Sequence, residues 1–309
     1  MCAARGRTAS PVLQKMSRRS FLSGVGHLSA TFSAMALAGS AAGLSLASCR
    51  RSDSLLEQAG VSSDSLRVGL DFSRPPFEAL VDAATPGAVE LDGEEDYGAG
   101  FNVAVLEKVS GVLGVPVHFV DIPLVSLSSC LEKGYIDVVA SSFFNGNDGG
   151  SLSYSDPYSS YDLAVVCRAD SAYADARTVA DLAGARMGTR DSSDLERVVQ
   201  KLPGVVEMVV PGRRSEPLSM VQAGELDATV VARRSFESVD ADLPDLVCAP
   251  IPSSELCADE TGLRMAVRNE DAELLGLLNG ALGGLGDAEL DEMWSDAVVL
   301  WKDAATSYI

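Results

Sequence analysis

Histidine is nearly absent from this sequence. The chain has two histidines, and only His118 lies beyond the N-terminal 48 residues. A histidine-ligated zinc site or histidine-based catalysis is therefore not expected, because one histidine alone is available beyond residue 48. We expect no metal site, no cofactor and no catalytic residue in this chain.

Positive charge is also scarce. Lysine and arginine together number 24 against 44 aspartates and glutamates, which gives a formal net charge of -20. An acidic chain without an evident basic face is not expected to bind nucleic acid, because phosphate binding needs clustered cations. The charge does not by itself indicate a cationic ligand, since surface charge mainly sets solubility and long-range steering.

The first 48 residues have the layout of an export signal. They contain five cations and no carboxylate, and the pair Arg18-Arg19 precedes a mildly apolar stretch from Phe21 to Ala47. This layout is typical of a twin-arginine signal peptide. A transmembrane helix is the alternative, but serine, glycine, threonine and His27 dilute the stretch and lower its tendency to insert.

The apolar stretch ends in Leu46-Ala47-Ser48-Cys49, which resembles the lipobox of bacterial lipoproteins. In that class the cysteine receives diacylglycerol and becomes the new N-terminus, and small residues before it suit the signal peptidase. The resemblance implies that the lipid on Cys49 anchors the protein in the bilayer at the outer face of the cell membrane. Residues 49–65 then form a tether.

Apolar runs and stretches of helical period alternate from Leu66 onward, which is typical of an α/β protein. The first series contains predicted strands at Leu66–Leu70, Val117–Val120 and Ile136–Ala140, predicted helices at Phe101–Leu113 and Leu124–Glu132, and a predicted loop at Glu90–Gly100. The first helix places Val105, Leu106, Val109, Val112 and Leu113 on one face.

A second series begins after an apolar run at Asp162–Val166. It contains predicted strands at Arg186–Arg190, Val206–Val210 and Asp227–Val231 and predicted helices opening near Ser193 and spanning Ser215–Ala223, followed by a strand at Leu263–Val267 and helices at Ala272–Leu282 and Ala288–Val298. The spacing of Ser193 and Glu196 is that of a capping box. The sequence therefore predicts two similar α/β lobes and a helical tail.

Several short motifs follow one another along the two series and the helical tail. The motifs are Leu66-Arg67-Val68-Gly69-Leu70-Asp71, Pro75-Pro76-Phe77-Glu78, Gly100-Phe101-Asn102-Val103, Gly134-Tyr135-Ile136-Asp137-Val138, Ser155-Asp156-Pro157-Tyr158, Asp181-Leu182-Ala183-Gly184, Ala223-Gly224-Glu225-Leu226-Asp227-Ala228 and Met293-Trp294. In this order they resemble the bacterial solute-binding proteins of the polar amino-acid class, which supply ABC importers. Each motif alone is weak, but their common register over most of the chain from Leu66 to Trp301 makes the resemblance specific.

The resemblance implies a two-lobed periplasmic-binding-protein-like fold of type 2, with hinge strands between the lobes. Lobe 1 would comprise residues 66–164 plus 261–309, and lobe 2 residues 165–260. The lobes would close on a small polar ligand, amino-acid-like or a small carboxylate, for delivery to an ABC permease in the membrane. We expect a monomeric binding protein; the alternatives are a dehydratase-type enzyme on the same fold and a sensory or adhesion module without transport.

The family's ligand contacts carry over individually to nine positions. They are Asp71, Arg74, Leu124, Ser141, Ser142 and Phe144 in lobe 1, and Arg190, Ser193 and Asp194 in lobe 2. Three of them have a structural alternative: Asp71 could cap a turn or helix, Arg74 could be a solvated arginine, and Leu124 could belong to the core.

Two of the family's ligand-gripping groups are missing. The arginine that clamps the ligand carboxylate would lie in the loop Asn145–Ser151, but there is no cation from Gly134 to Val166. The acid that receives the ligand ammonium is replaced by Ala232, beside Arg233 and Arg234. These departures indicate a ligand other than a plain α-amino acid, such as a carboxylate held by Arg74 and Arg190.

Four cysteines follow Cys49, namely Cys130, Cys167, Cys248 and Cys257. An even number in an exported protein permits disulfides in three connectivities, and burial as free thiols is the alternative. If one bridge forms, the two-lobe architecture favours partners among Cys167, Cys248 and Cys257.

Overall fold

The computed structural model describes Leu56 and residues 64–141, 150–160, 162–190, 194–210, 216–240, 243, 245–256 and 262–307. All of them belong to one compact unit, residues 50–309. The predicted signal peptide and Cys49 lie outside these residues. No helix in the described ranges combines the length and the apolar character needed to cross a membrane.

Strands and helices alternate along the described chain. The strands are β1 (Leu66–Leu70), β2 (Ser73–Arg74), β3 (Glu78–Val81), β4 (Val89–Glu90), β5 (Tyr97–Ala99), β6 (Val117–Asp121), β7 (Val138–Ser141), β8 (Leu152–Tyr154), β9 (Ser159–Ser160), β10 (Leu163–Arg168), β11 (Arg186–Arg190), β12 (Val206–Val210), β13 (Ala228–Ala232), β14 (Leu246–Cys248) and β15 (Gly262–Arg268). The helices are α1 (Phe101–Leu113), α2 (Leu124–Glu132), α3 (Asp194–Lys201), α4 (Glu216–Ala223), α5 (Arg233–Ser235), α6 (Ser253–Leu256), α7 (Ala272–Leu282) and α8 (Asp287–Ser307), with a 3-10 turn at Val179–Leu182 and a π turn at Phe236–Asp240.

Two mixed sheets organise the described residues. The first has the strand order β6-β1-β7-β15-β8, with β9 also paired to β15, and the second has the order β12-β11-β13-β10-β14. In each sheet three neighbouring strands are parallel, and the strand beside them, β15 or β10, is antiparallel. The predicted α/β class is therefore confirmed.

Helix α1 packs on the first sheet through the apolar face that the sequence predicts. Its bounds are the predicted ones, and Val105, Leu106, Val109 and Leu113 are buried. Val112 is 52% exposed, so its predicted place on this face is wrong. Val112 lies towards one edge of the buried arc, about 80° around the helix from the centre that Val109 and Leu113 mark.

In each sheet an arginine in one parallel strand binds an aspartate that comes just before the neighbouring parallel strand. Arg67 at the start of β1 binds the Asp137 carboxylate through its backbone N–H, Nε and Nη2, and Nη2 also donates to the Gly134 carbonyl. Arg186 in β11 makes the same four contacts with Asp227 and Gly224. Both glycines have φ above +70°, which favours glycine. In each sheet one Gly-x-x-Asp segment, Gly134 to Asp137 or Gly224 to Asp227, provides the acceptors for this arginine.

A small antiparallel sheet of order β2-β3-β5-β4 covers the start of α1. The sequence predicts a loop over Glu90–Gly100, and that prediction is wrong for β4 and β5. Gly100 joins this sheet to α1 with φ 138°, and a Cβ there would lie 2.4 Å from the Phe77 carbonyl oxygen. Only glycine fits this junction, which accounts for the Gly100-Phe101 motif.

The C-terminal helices pack beside α1. Helix α7 has the predicted bounds, whereas α8 starts at Asp287 and runs to Ser307, beyond the predicted end at Val298. The residues after Val298 contain neither glycine nor proline, so nothing in them ends the helix. Trp294 in α8 contacts Phe77 and Phe101 in edge-to-face geometry, with ring centroids 5.1 and 5.5 Å apart.

Cys130, Cys167 and Cys248 are free thiols in this structure, and Cys257 lies outside the described residues. In the pairing of β10 with β14, Cys167 is opposite Val247 and Cys248 is opposite Val166. The two cysteines therefore point to opposite faces of the sheet, because side chains alternate along a strand. A Cys167–Cys248 bridge, one of the favoured pairings, is excluded by this register; pairings with Cys257 stay a prediction.

Candidate functional site

Three parallel strands of the first sheet end at one edge, where polar residues follow them. Asp71 follows β1, Asp121 ends β6 three residues before the start of α2, and Ser141 ends β7. The carboxyl ends of parallel strands are the usual position of ligand sites in α/β proteins. We take this edge of the first sheet as the candidate site.

Asp71 holds the start of helix α2. Its Oδ2 accepts a hydrogen bond from the backbone N–H of Leu124 at 3.1 Å, and its Oδ1 accepts one from the Ser73 hydroxyl at 2.5 Å. A carboxylate in this position satisfies an otherwise unpaired donor of the first helical turn. The helix-capping alternative thus describes the contacts of Asp71, and a ligand contact stays a prediction for both Asp71 and Leu124.

Asp121 adds a second carboxyl group beside Asp71. Its Oδ1 accepts a hydrogen bond from the Phe72 backbone N–H at 3.1 Å. Burial raises the pKa of Asp121, and the nearby negative charge of Asp71 acts in the same direction. Asp71 and Asp121 therefore make this part of the sheet edge acidic, and we call the two residues the acidic wall.

Arg74, the predicted ligand arginine, lies in a buried ion pair with Glu78. The two residues face each other across β2 and β3, and Arg74 Nη2 donates to Glu78 Oε1. Arg74 is 5% exposed and Glu78 is fully buried. The alternative of a solvated arginine is wrong, and direct ligand contact by Arg74 stays a prediction.

Two further buried side chains hold Glu78. Asn102 in the first turn of α1 donates from Nδ2 to Glu78 Oε2 at 2.6 Å, and the Tyr158 hydroxyl donates to Asn102 Oδ1 at 2.8 Å. Burial raises the pKa of Glu78 to about 7, although the Arg74 charge acts in the opposite direction. Burial and the Glu78 charge also raise the pKa of Tyr158.

This Arg74–Glu78–Asn102–Tyr158 network was not predicted from the sequence, although Arg74 was a predicted ligand contact and the other three members each belong to one of the family motifs. Glu78 ends Pro75-Pro76-Phe77-Glu78, Asn102 follows Gly100-Phe101, and Tyr158 ends Ser155-Asp156-Pro157-Tyr158. The signal available was that polar residues recur in these motifs beside apolar ones. Their convergence depends on tertiary packing and is visible only in the structure.

The remaining predicted contacts are not tested by the described residues. Ser142, Phe144 and Ser193 lie outside them, and for Ser141, Arg190 and Asp194 only the strand or helix is described. All six stay predictions.

Arg234, which adjoins the missing family acid, contacts the C-terminal helix. Its guanidinium lies 4.6 Å from the Trp294 ring centroid, and Nη2 donates to Asp291 Oδ1 at 2.7 Å. Arg233 lies 3.5 Å from Glu237. Arg234 therefore connects the segment after β13 to α8. Its contacts lie within the protein and do not support binding of an anionic ligand at this arginine.

A cavity of about 1110 Å³ lies apart from this edge, between the small sheet, α1 and α8. Its lining is largely apolar and includes Leu80 and Trp301, but none of Asp71, Arg74 and Leu124. Among the described residues there is also no group of three histidine, cysteine, aspartate or glutamate side chains that could hold a metal ion.

Comparisons with known proteins agree with this architecture. The model of the bacterial extracellular solute-binding proteins, family 3, matches residues 66–294. The arginine-bound form of truncated ArgBP from T. maritima is 27% identical, with a TM-score of 0.58 and coverage of 72% of this chain and 97% of that chain. An L-arginine-bound amino acid ABC transporter substrate-binding protein from Streptococcus pneumoniae is 17% identical, with a TM-score of 0.64 and coverage of 80% and 98%. A search of curated protein sequences found no significant match.

Proposed function

Because this chain belongs to the bacterial extracellular solute-binding proteins of family 3, we propose that it captures a small polar solute for delivery to an ABC importer. The family match over residues 66–294 carries the proposal, since it includes all the strands of both sheets. The structural neighbours include substrate-binding proteins of amino acid ABC transporters, which supports import over catalysis. This family has the two-lobed periplasmic-binding-protein fold that the sequence predicts.

Ligand capture would proceed by closure of two lobes, residues 66–164 plus 261–309 and residues 165–260. β10 and β15 lie at the two points where the chain passes between the sheets. A ligand that contacts both lobes binds the closed form better than the open form, and this differential affinity drives closure. The permease would then recognise the closed form.

An amino-acid-like ligand is the class that the contacts favour. The T. maritima protein that is 27% identical binds arginine. The acidic wall of Asp71 and Asp121 suits a positively charged group, and Arg74 is already paired with Glu78. A small carboxylate, held by Arg190, remains the second class to test.

The ligand can be identified by thermal unfolding of protein freed from co-purified ligand, with each standard amino acid and a set of small organic acids. A true ligand at about 100 times its Kd should raise the free energy of unfolding by about 2.7 kcal/mol. The Arg190→Gln variant should weaken binding of that ligand at least about tenfold. Arg168→Gln, the same change on β10 away from the predicted contacts, should leave binding unchanged. Failure of every compound to stabilise the protein would contradict the proposed function.

Membrane attachment through Cys49 is a separate part of the proposal. A twin-arginine signal would export the chain, and the lipid would raise the effective concentration of the binding module beside its permease. The Cys49→Ser variant should move from the membrane fraction to the soluble extracytoplasmic fraction. Retention of this variant in the membrane fraction would rule out the lipid as the anchor.

A further inference from the structure

The Arg74–Glu78 pair lies beside the strand ends where the ligand is expected. We propose that Glu78 is a resident counter-ion for Arg74, so that this arginine attracts no anion and the site selects neutral or cationic solutes. The inference rests on the proposed function, because it names the ligand class of the same site. It makes Glu78 a specificity-determining residue that acts through Arg74.

The geometry holds Glu78 in this role. Its Oε1 accepts from Arg74 and its Oε2 accepts from Asn102 at 2.6 Å, so both carboxylate oxygens are engaged. The Tyr158 hydroxyl fixes Asn102 in turn. Any other rotamer that moved the Glu78 carboxylate away from Arg74 would therefore break buried hydrogen bonds.

The charges explain the selectivity. A guanidinium in a dry site is a strong carboxylate ligand when no other anion occupies it. With Glu78 in contact, an incoming anion would meet a second negative charge at the same arginine. Asp71 and Asp121 at the neighbouring strand ends add to this repulsion.

The ionisation of Glu78 gives the proposal a pH signature. The polar and charged groups that face Glu78 are Arg74 on β2, Asp71 after β1, Asn102 on α1 and Tyr158 before β9. Burial raises the pKa of Glu78 to about 7. Below this pH Glu78 takes up a proton and the Arg74 charge is no longer compensated. The affinity of the wild-type protein for an anion should therefore increase as the pH falls from 8 to 6.

Glutamine and glutamate are suitable probes, because they have nearly the same shape and neither changes its charge between pH 6 and pH 8. Isothermal titration at pH 8 should give the wild-type protein a clear preference for glutamine. In Glu78→Gln the affinity for glutamate relative to glutamine should rise at least about tenfold, and the pH dependence should disappear. Glu90→Gln makes the same change at an exposed residue of β4 in the same small sheet, and it should leave the ratio and its pH dependence unchanged.

The outcomes separate this inference from the proposed function. An unchanged ratio in Glu78→Gln, or glutamate binding to neither protein, overturns the counter-ion role. A wild-type protein that binds no solute, together with a Glu78→Gln variant that binds glutamate, contradicts the proposed transport function and supports the counter-ion role. Thermal unfolding of each variant confirms that it is folded before the titration.

Discussion

The Arg74→Met variant should lose about 3–5 kcal/mol of its free energy of unfolding at pH 8, the usual cost of leaving a buried charge without its partner. Arg74 is the cation that contacts the fully buried Glu78, and methionine keeps similar bulk without the charge. The remaining hydrogen bond from Asn102 cannot compensate a carboxylate in this position. Urea denaturation at pH 8 would measure the loss.

The loss should shrink as the pH is lowered. Burial raises the pKa of Glu78 from 4.5 to about 7 in the folded protein, so the folded state binds this proton more tightly than the unfolded state. The stabilising effect of that proton is fully present below pH 4.5 and is lost as the pH rises through 7. At pH 5 Glu78 is protonated in the folded variant, so the absence of Arg74 leaves no buried negative charge without a partner.

The double variant Arg74→Met/Glu78→Leu is the matched control for this prediction. Replacing a whole buried ion pair by apolar side chains is often neutral or stabilising. The double variant should therefore recover most of the stability that Arg74→Met loses at pH 8. An equal loss at pH 5 and pH 8 would show that packing of the Arg74 side chain, and not the Glu78 charge, causes the effect.

The Trp294→Ala variant should lose about 3–5 kcal/mol, as expected when a large buried aromatic side chain is removed from a core. Trp294 is 5% exposed and contacts Phe77, Phe101 and the Arg234 guanidinium. Its removal therefore loosens the small sheet, α1 and the segment after β13 together.

The second tryptophan of the chain provides the control. Trp301 lies about two turns further along α8, is only partly buried and lines the cavity beside the small sheet. Trp301→Ala should cost less than about half as much, because partly exposed side chains lose less apolar burial. Equal losses in the two variants, measured by urea denaturation followed by circular dichroism, would contradict the central packing role of Trp294.

The sequence predicted the longer elements well because their apolar periodicity is strong. The bounds of α1, α2 and α7 agree to the residue, as do those of β1, β11 and β12. The small sheet was missed because its strands have two to four residues and lie in an acidic segment. Such strands form through pairing with distant residues, and local pattern does not contain that information.

The site was less predictable than the fold. The sequence placed Asp71 and Arg74 at the strand ends, but it could not show which internal partners they have. Arg74 meets Glu78 because of the β2–β3 register, and Asn102 and Tyr158 arrive from α1 and from the segment before β9. Contacts of this kind depend on the assembled structure, so a family position that binds ligand in relatives can hold a side chain already engaged within the protein.

The position of β15 also determines when the first sheet can be completed during synthesis. β15 lies between β7 and β8, and its Met265 backbone N–H donates to a Ser155 hydroxyl 110 positions earlier in the chain. Until residues 262–268 have left the ribosome, the facing edges of β7 and β8 have no strand to pair with. Contacts of such long sequence separation slow folding. The facing edges of β7 and β8 therefore stay open to aggregation until synthesis of the chain is nearly complete.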